Sequence, residues 1–244
     1  MCDDGMMTYT RHSSDRLLTP TSGRGGARTP VGEEEGFELA VEALRSVDRE
    51  KLAIVLSAQS TTEDNLALVK LAAAMGTTKL YLAALGGWEG DDILRNADNN
   101  PNRAGAAQAA GTAELKPLSA LLADVKGGAV DGVLALGAVS AESLDELAPL
   151  AGLGTVVSLS SHVGALPAVA SVALPVAETF EIAGSFVNAQ GMTQSFSPVL
   201  SAPAGIEPAW KTIAAMGRAL GHDLGFDGLD SLRRDLGDRA EAAQ

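Results

Sequence analysis

The run Leu52-Ala-Ile-Val-Leu56, followed at once by Ser57-Ala-Gln-Ser-Thr-Thr-Glu-Asp-Asn65, decides the predicted fold. A short apolar run without alternation is typical of a strand that is buried on both faces. The hydroxyl and acidic residues after it suit the N-cap and first turn of a helix, which continues to about Met75 and ends at Gly76. The sequence therefore predicts a strand, a loop and a helix, the unit from which α/β proteins are built.

The same kind of unit recurs along the chain. The further predicted strands are Lys79–Ala84, Gly132–Leu136, Thr155–Leu159 and Ser171–Leu174, and the intervening helices are Leu115–Val125 and Ala141–Leu150. Because these strands are apolar on both faces and alternate with helices, we expect a doubly wound, mostly parallel sheet with helices on both faces.

The two ends of the chain differ from this pattern. Near the C-terminus, Asn188-Ala-Gln-Gly191 predicts a β-hairpin turn, and short helices are predicted over 208–220 and 229–236. Residues 1–35 are polar and rich in Gly, Ser, Thr and Arg, so we interpret them as a tail or linker that buries too little apolar surface to fold. The α/β domain then comprises residues 36–244.

Composition excludes several classes of function. The chain has 244 residues and a net charge of −13, and its 18 Lys and Arg residues are dispersed, which argues against binding to nucleic acid. No apolar run is long enough for a membrane span, so we expect no direct membrane insertion. Cys2 is the only cysteine, which excludes an intrachain disulfide and favours the cytoplasm. His12, His162 and His222 lack the spacing of metal ligands.

Small and polar residues follow the predicted strands, where ligands bind in open α/β sheets. The loops concerned are Ser57–Thr62, Gly86–Asp92, Gly137–Ser140 and Ser160–Gly164. Their backbone N–H groups could hold the phosphate of a nucleotide or a pterin, but they contain no G-x-G-x-x-G or P-loop motif and almost no Arg or Lys. The alternative is that helix caps and strand-end turns require these residue types.

Two carboxylate pairs and one Ser-His sequence are the remaining candidates for chemistry. Glu178 with Glu181, and Asp91 with Asp92, could form an acid/base pair, but no His, Cys or basic residue accompanies them, so we favour a solvated face. In Ser160-Ser161-His162 we expect adjacent side chains to point in different directions, and no G-x-S-x-G elbow is present. We therefore predict no catalytic residue in this chain.

Several motifs together resemble one protein family. Met1-Cys-Asp-Asp-Gly, Tyr9 and Asp15-Arg-Leu-Leu-Thr-Pro20 resemble the segment of molybdopterin-family oxidoreductases in which the fourth cysteine of a [4Fe-4S] cluster precedes a His/Asp-Arg-Leu-x-x-Pro element. The chain as a whole resembles the C-terminal, molybdopterin-oxidoreductase-like part of the large iron–sulfur subunit of NADH:quinone oxidoreductase (respiratory complex I). The other matching pieces, in the family's order, are 57–65, 91–102, Leu174-Pro with Glu178, 184–194 and Pro208-x-Trp-Lys211.

This resemblance implies a role in a larger assembly. In the family, an N-terminal region passes electrons from a flavin subunit toward quinone through iron–sulfur clusters, and the C-terminal region generally lacks a pterin and serves as a scaffold. The resemblance implies that this chain is a fragment or a separately encoded C-terminal half, bound to other peripheral-arm subunits on the inner face of the bacterial membrane. Cys2 would then be one ligand of a [4Fe-4S] cluster, but only with upstream cysteines, because such a cluster needs four thiolates. Alone, the chain is expected to bind no cluster.

Two departures from the family argue against an independent molybdenum enzyme. Gly5-Met6 stands where many molybdopterin enzymes have Gly-Arg, and the interval between Pro20 and Leu52 is too short for their inserted domains. Two alternatives stay open, namely a residual molybdopterin- or nucleotide-binding module and an orphan acidic interaction domain.

Overall fold

A mixed eight-stranded sheet forms the centre of the computed structural model, which describes residues 12, 14–23, 28–91, 93, 95–137 and 146–242. Six neighbouring strands of this sheet, β3 to β8, are parallel. A separate two-stranded antiparallel sheet consists of β9 and β10. The strands are β1 (Thr21–Ser22), β2 (Thr29–Pro30), β3 (Leu52–Ser57), β4 (Lys79–Ala83), β5 (Leu115–Pro117), β6 (Gly132–Leu136), β7 (Thr155–Ser160), β8 (Val172–Pro175), β9 (Gly184–Val187) and β10 (Thr193–Phe196).

The strand order of the large sheet is β2-β1-β8-β7-β6-β3-β4-β5. From β3 the chain first proceeds outward through β4 to β5, and it then returns to the other side of β3 to form β6, β7 and β8. The direction of winding therefore changes between β3 and β6. This is the topological switch point beside which open α/β sheets bind ligands.

Helices cover both faces of the sheet, as the sequence predicts. The apolar residues of α1, α2, α3, α7 and α8 share one core cluster, and those of α4, α5 and α6 share the other. The helices are α1 (Glu33–Ser46), α2 (Thr62–Met75), α3 (Arg103–Ala110), α4 (Leu118–Lys126), α5 (Ala148–Ala151), α6 (Ala165–Val169), α7 (Ala209–Ala219) and α8 (Leu229–Ala242). The doubly wound α/β architecture is therefore confirmed.

The unit built from β3 and α2 follows the sequence prediction closely. Alternate residues of β3 face opposite cores, with Ile54 in one cluster and Val55 in the other. Thr61 caps α2, because its hydroxyl accepts a hydrogen bond of 3.0 Å from the backbone N–H of Asp64. Gly76 ends the helix in the left-handed conformation, with a φ of 76°. The apolar run and its caps thus specify this unit locally.

Other elements differ from the prediction. The expected helix over 115–125 begins as strand β5 and becomes α4 only at Leu118, because Pro117 is tolerated before a helix but not inside one. Helix α3 is not among the predicted helices, and its first residues fall at the end of the stretch Gly86–Gly105, which the sequence predicts to be a loop. The helix predicted near the C-terminus is longer, since α8 extends to Ala242. Residues 138–145, which include the first half of the helix predicted over 141–150, lie outside the described part, and α5 begins at Ala148.

The interpretation of residues 1–35 as a tail or linker is wrong for the part that the structure describes. Strand β1 pairs antiparallel with β8 and with β2, which extends the large sheet at one edge. Leu17 is 5% exposed within the second core cluster. Pro20 packs so closely against Gly36 of α1 that a Cβ on this glycine would overlap the proline ring. A few apolar contacts and backbone pairing with β8 therefore order a segment whose composition is polar.

Among the helices of the described residues, none combines the length and the apolar character that a membrane crossing requires.

Candidate functional site

A cavity of about 240 Å³ lies at the carboxyl ends of four strands, β3, β6, β7 and β8. The switch point between β3 and β6 lies within this row of strands, so the cavity occupies the place where open α/β sheets bind ligands. It is lined by residues 59–61, 64, 136–137, 161–162, 176–179, 182 and 209. We refer to it as the strand-end cavity.

Three of the four loops predicted for this site contribute to the strand-end cavity. They are Ser57–Thr62, the beginning of Gly137–Ser140, and Ser160–Gly164, whereas 138–140 lie outside the described residues. No described residue of the fourth loop, Gly86–Asp92, lines the cavity. In that loop the Asp91 carboxylate instead accepts hydrogen bonds from the backbone N–H groups of Ile93 and Arg95, and Asp92 is outside the described residues.

Two buried asparagines shape the loop that follows β3. Asn65 accepts a hydrogen bond of 2.9 Å from the Ser57 N–H and donates one of 2.9 Å to the Ser57 carbonyl oxygen. Asn102 donates to the Ser60 carbonyl oxygen at 2.7 Å and accepts from the Val187 N–H at 2.8 Å. These bonds give buried backbone groups of the loop and of the hairpin side-chain partners. The cavity wall is therefore preformed, and the hairpin of β9 and β10 is attached to it.

Asp64 is a buried carboxyl group in the first turn of α2 and lines the cavity. One of its oxygens accepts a hydrogen bond of 2.7 Å from the Thr61 hydroxyl, and the other accepts one of 2.8 Å from the backbone N–H of Trp210. Burial raises the pKa of Asp64 to about 6, although these hydrogen bonds act in the opposite direction. Among the described residues, no cation forms an ion pair with Asp64.

Glu178 is the N-cap, and Glu181 the last residue, of a short 3₁₀ turn, Thr179–Glu181, beside the cavity. They form a reciprocal capping box, in which Glu178 accepts from the Phe180 N–H at 3.0 Å and Glu181 accepts from the Glu178 N–H at 2.8 Å. The Glu178 side chain is 16% exposed, and that of Glu181 is 1% exposed. The interpretation of this pair as a solvated face is therefore wrong, because the cap and an ion pair bury the carboxylates.

Arg16 is the partner that neutralises Glu181. Its two terminal guanidinium nitrogens donate hydrogen bonds of 2.7 Å and 2.8 Å to the two carboxylate oxygens of Glu181. Although burial acts the other way, the hydrogen bonds and the positive charge of Arg16 hold the pKa of Glu181 below its usual range. The same guanidinium donates to the Ser161 carbonyl oxygen at 3.1 Å, so Arg16 joins the end of β7 to the 3₁₀ turn.

The backbone around Arg16 also pairs with the end of β7. The N–H of Leu17 donates to the Ser161 carbonyl oxygen at 3.0 Å, and the N–H of Val163 donates to the Asp15 carbonyl oxygen at 2.8 Å. Together with the Arg16–Glu181 ion pair, these bonds attach residues 15–17 to the rim of the strand-end cavity. We call this attachment the N-terminal clasp.

Ser161 and His162 contact each other, contrary to the prediction that their side chains point apart. The Ser161 hydroxyl lies 2.9 Å from the His162 Nδ1 atom. Among the described residues, no third side chain orients the other nitrogen of the imidazole, and a serine nucleophile acts through a base that is itself oriented by a partner. The contact is therefore local and does not assemble a triad from described residues.

Cys2, the one residue predicted as a possible cluster ligand, lies outside the described residues. Within the part of the chain that the structure describes, no three His, Cys, Asp or Glu residues are grouped so that they could hold a metal ion. No family model matches this chain.

Residues 176–179 and 182 line the cavity, although the sequence predicts no site loop after β8. Their signal is the Glu178-x-x-Glu181 spacing, which is that of a capping box, placed directly after β8. Asp64 is a second unpredicted contributor, since in the sequence it is only one of two acids in the first turn of a predicted helix. The packing of α7 against α2 is what buries this carboxylate.

Proposed function

We propose that this chain is the C-terminal scaffold part of the large iron–sulfur subunit of an NADH:quinone oxidoreductase. In this role it supports electron transfer from NADH toward quinone, and it catalyses no step itself. The resemblance of residues 1–20 to the end of a cluster-binding module is the starting point. The proposal includes Cys2 as one ligand of a [4Fe-4S] cluster whose other three thiolates lie outside this chain.

The N-terminal clasp is the observation that carries the proposal. A scaffold for a preceding cluster-binding module needs a rigid attachment between that module and its own core. Arg16 and Leu17 belong to the Asp15-Arg-Leu-Leu-Thr-Pro20 element, and both are anchored, Arg16 to Glu181 and Leu17 in the core. A buried, bidentate Arg–carboxylate pair fixes orientation as well as position. The clasp therefore fits an element that holds two modules in a defined arrangement.

The alternative is a residual molybdopterin- or nucleotide-binding module, and the location of the strand-end cavity favours it. The size and the charge of the cavity argue against this alternative. Pockets for drug-sized ligands typically have about 300–1,000 Å³, whereas this one has about 240 Å³. Its described lining includes the carboxylates of Asp64 and Glu178 and no Lys or Arg, although phosphate sites favour cationic donors. These features support the scaffold over the ligand-binding module.

Copurification from native membranes tests the scaffold proposal. The full chain, tagged at its C-terminus, is expressed in the organism that encodes it, and membranes are solubilised in a mild detergent before capture. Mass spectrometry should identify the flavin-bearing and cluster-bearing peripheral-arm subunits in the captured material. Capture of an intact, folded chain without those subunits would contradict the proposal.

A pair of variants connects this test to the clasp. Arg16→Met removes the partner of Glu181, and Arg218→Met removes an exposed arginine that has no partner among the described residues. We expect Arg16→Met to reduce the recovery of peripheral-arm subunits and Arg218→Met to leave it unchanged. Equal recovery with both variants would mean that the clasp does not mediate the attachment.

A further inference from the structure

The described lining of the strand-end cavity carries two acidic side chains and no Lys or Arg. Asp64 and Glu178 line it from two different elements, one on α2 and one directly after β8. Arg16, the arginine attached to the cavity rim, is 7% exposed and is already paired with Glu181. It therefore does not neutralise Asp64 or Glu178, and in a chain with a net charge of −13 the cavity should have a negative potential.

Both carboxylates have acceptor capacity left after their bonds within the protein. An ionised carboxylate offers about four lone-pair sites. The described partners of Asp64 are the Thr61 hydroxyl and the Trp210 N–H, and those of Glu178 are the Phe180 N–H and, at 3.9 Å, His12 Nδ1. None of these groups except His12 can carry a charge. A ligand cation would therefore form additional hydrogen bonds with both carboxylates, and the protein groups that already hold these side chains would stay in place.

The remainder of the described lining combines polar groups, among them the imidazole of His162, with apolar surface. Gln59, Ser60 and Thr179 supply an amide and two hydroxyl groups, whereas Val176 and Ile182 supply apolar surface. Such a combination suits a ligand with a charged head, a short apolar stem and a hydroxyl or amide group. The volume of about 240 Å³ limits that ligand to less than the size of a nucleotide.

We propose that the strand-end cavity binds a small organic cation, an amine or a guanidine, whose charged head pairs with the carboxylates of Asp64 and Glu178. A charge-assisted hydrogen bond of this kind is about twice as strong as a neutral one. The same two carboxylates would repel phosphate, which separates this ligand class from nucleotides and pterin phosphates. The proposal is independent of the scaffold function, because it concerns the cavity and not the N-terminal clasp.

Thermal unfolding of the purified full chain, followed by titration calorimetry, tests this proposal. The probes are aminobutanol, agmatine and spermidine, with butanediol as the neutral counterpart of aminobutanol and AMP as the anion, all at equal ionic strength. We expect at least one of the three amines to raise the unfolding temperature at millimolar concentration, and butanediol and AMP to have no effect. Stabilisation by AMP but not by the amines, or no stabilisation by any amine, would overturn the proposal.

Three variants locate the binding. Asp64→Asn and Glu178→Gln each remove one cavity charge with little change in shape, and we expect each to weaken amine binding by about tenfold or more. Asp131→Asn is the matched control, because Asp131 is an exposed carboxylate that pairs with Lys51 at the amino end of β6. If Asp131→Asn weakens binding as much as the cavity variants, or if neither cavity variant weakens it, the amines bind elsewhere and the proposal is wrong.

Discussion

Arg16 and Glu181 are 165 residues apart in the sequence, and yet they form a bidentate ion pair with hydrogen bonds of 2.7 Å and 2.8 Å. Both side chains are almost completely buried. The pair connects the segment before β1 to the turn after β8, at the rim of the strand-end cavity. It is therefore the contact by which a polar N-terminal segment becomes part of the domain.

Replacement of Arg16 by Met should destabilise the protein by about 3 kcal/mol, because it leaves the charge of Glu181 buried without its partner. Urea unfolding of Arg16→Met measures this loss, with Arg218→Met as the control for an exposed arginine. The double variant Arg16→Met, Glu181→Gln should recover part of the stability, since no unpaired charge remains. A loss within about 0.5 kcal/mol for Arg16→Met would show that the pair does not hold the clasp.

Asp64 should make stability depend on pH in the acid range. Its pKa is about 6 in the folded protein and 3.8 ordinarily, so the folded state binds the proton more tightly. The stabilisation that Asp64 contributes is fully present below its ordinary pKa, and it is lost as the pH rises through about 6. At about 1.4 kcal/mol per pKa unit, the difference between the two pKa values corresponds to about 3 kcal/mol of unfolding free energy.

The comparison of wild type with Asp64→Asn isolates this effect from other titrating groups. The free energy of unfolding of the wild type should fall relative to that of Asp64→Asn between about pH 4 and about pH 7. Chemical unfolding at several pH values provides the measurement. A difference between the two proteins that is constant over this range would contradict the assignment.

Gly137 should tolerate alanine worse than another glycine with the same backbone conformation. Its φ is +69°, and an added Cβ would lie 2.9 Å from the Ser60 hydroxyl oxygen, whereas Gly128 has a φ of +73° and open space around it. We expect Gly128→Ala to cost about 1 kcal/mol and Gly137→Ala about 2–3 kcal/mol, because only the second adds crowding to the backbone strain. If both variants lose the same free energy of unfolding in urea, the cavity wall shifts to accommodate the added methyl group.

Arg233 should stabilise the hairpin of β9 and β10 through Glu63. The carboxylate of Glu63 is fully buried, and it accepts hydrogen bonds of 2.9 Å from Arg233 and 2.8 Å from the Ser185 N–H. Arg233→Met should cost about 2 kcal/mol, less than for a fully buried pair because Arg233 is 35% exposed. The neighbouring Arg234 is exposed and provides the control. Arg234→Met should leave the free energy of unfolding nearly unchanged in the same experiment.

The sequence predicts those parts of the fold that local rules determine. The apolar run of β3 and the caps of α2 at Thr61 and Gly76 need no distant partner to be recognised. Pro117 is a local signal of the same kind, because it marks the boundary between β5 and α4. Helix α3 is not predicted although Asn102 is of a favoured N-cap type. In the structure Asn102 makes no side-chain cap and instead bonds to the loop after β3.

The parts that the sequence does not predict depend on contacts between distant segments. Strand β1 is polar, and it is ordered by β8, which lies about 150 residues later in the chain. The sequence suggests that Glu178 and Glu181 are exposed to solvent, because it does not show that Arg16 lies beside Glu181. The burial of Asp64 depends in the same way on the N-terminus of α7. Three of the four predicted site loops are correct in location because parallel strands place their carboxyl ends at one edge of a sheet.

Reading the genomic DNA immediately upstream of the codon for Met1 tests the central claim most directly. If the chain is the C-terminal part of an iron–sulfur subunit, the same frame or the adjacent gene should encode the C-x2-C-x3-C run that supplies the other ligands of the Cys2 cluster. An in-frame stop codon directly upstream, with no cysteine run in the adjacent gene, would contradict the account.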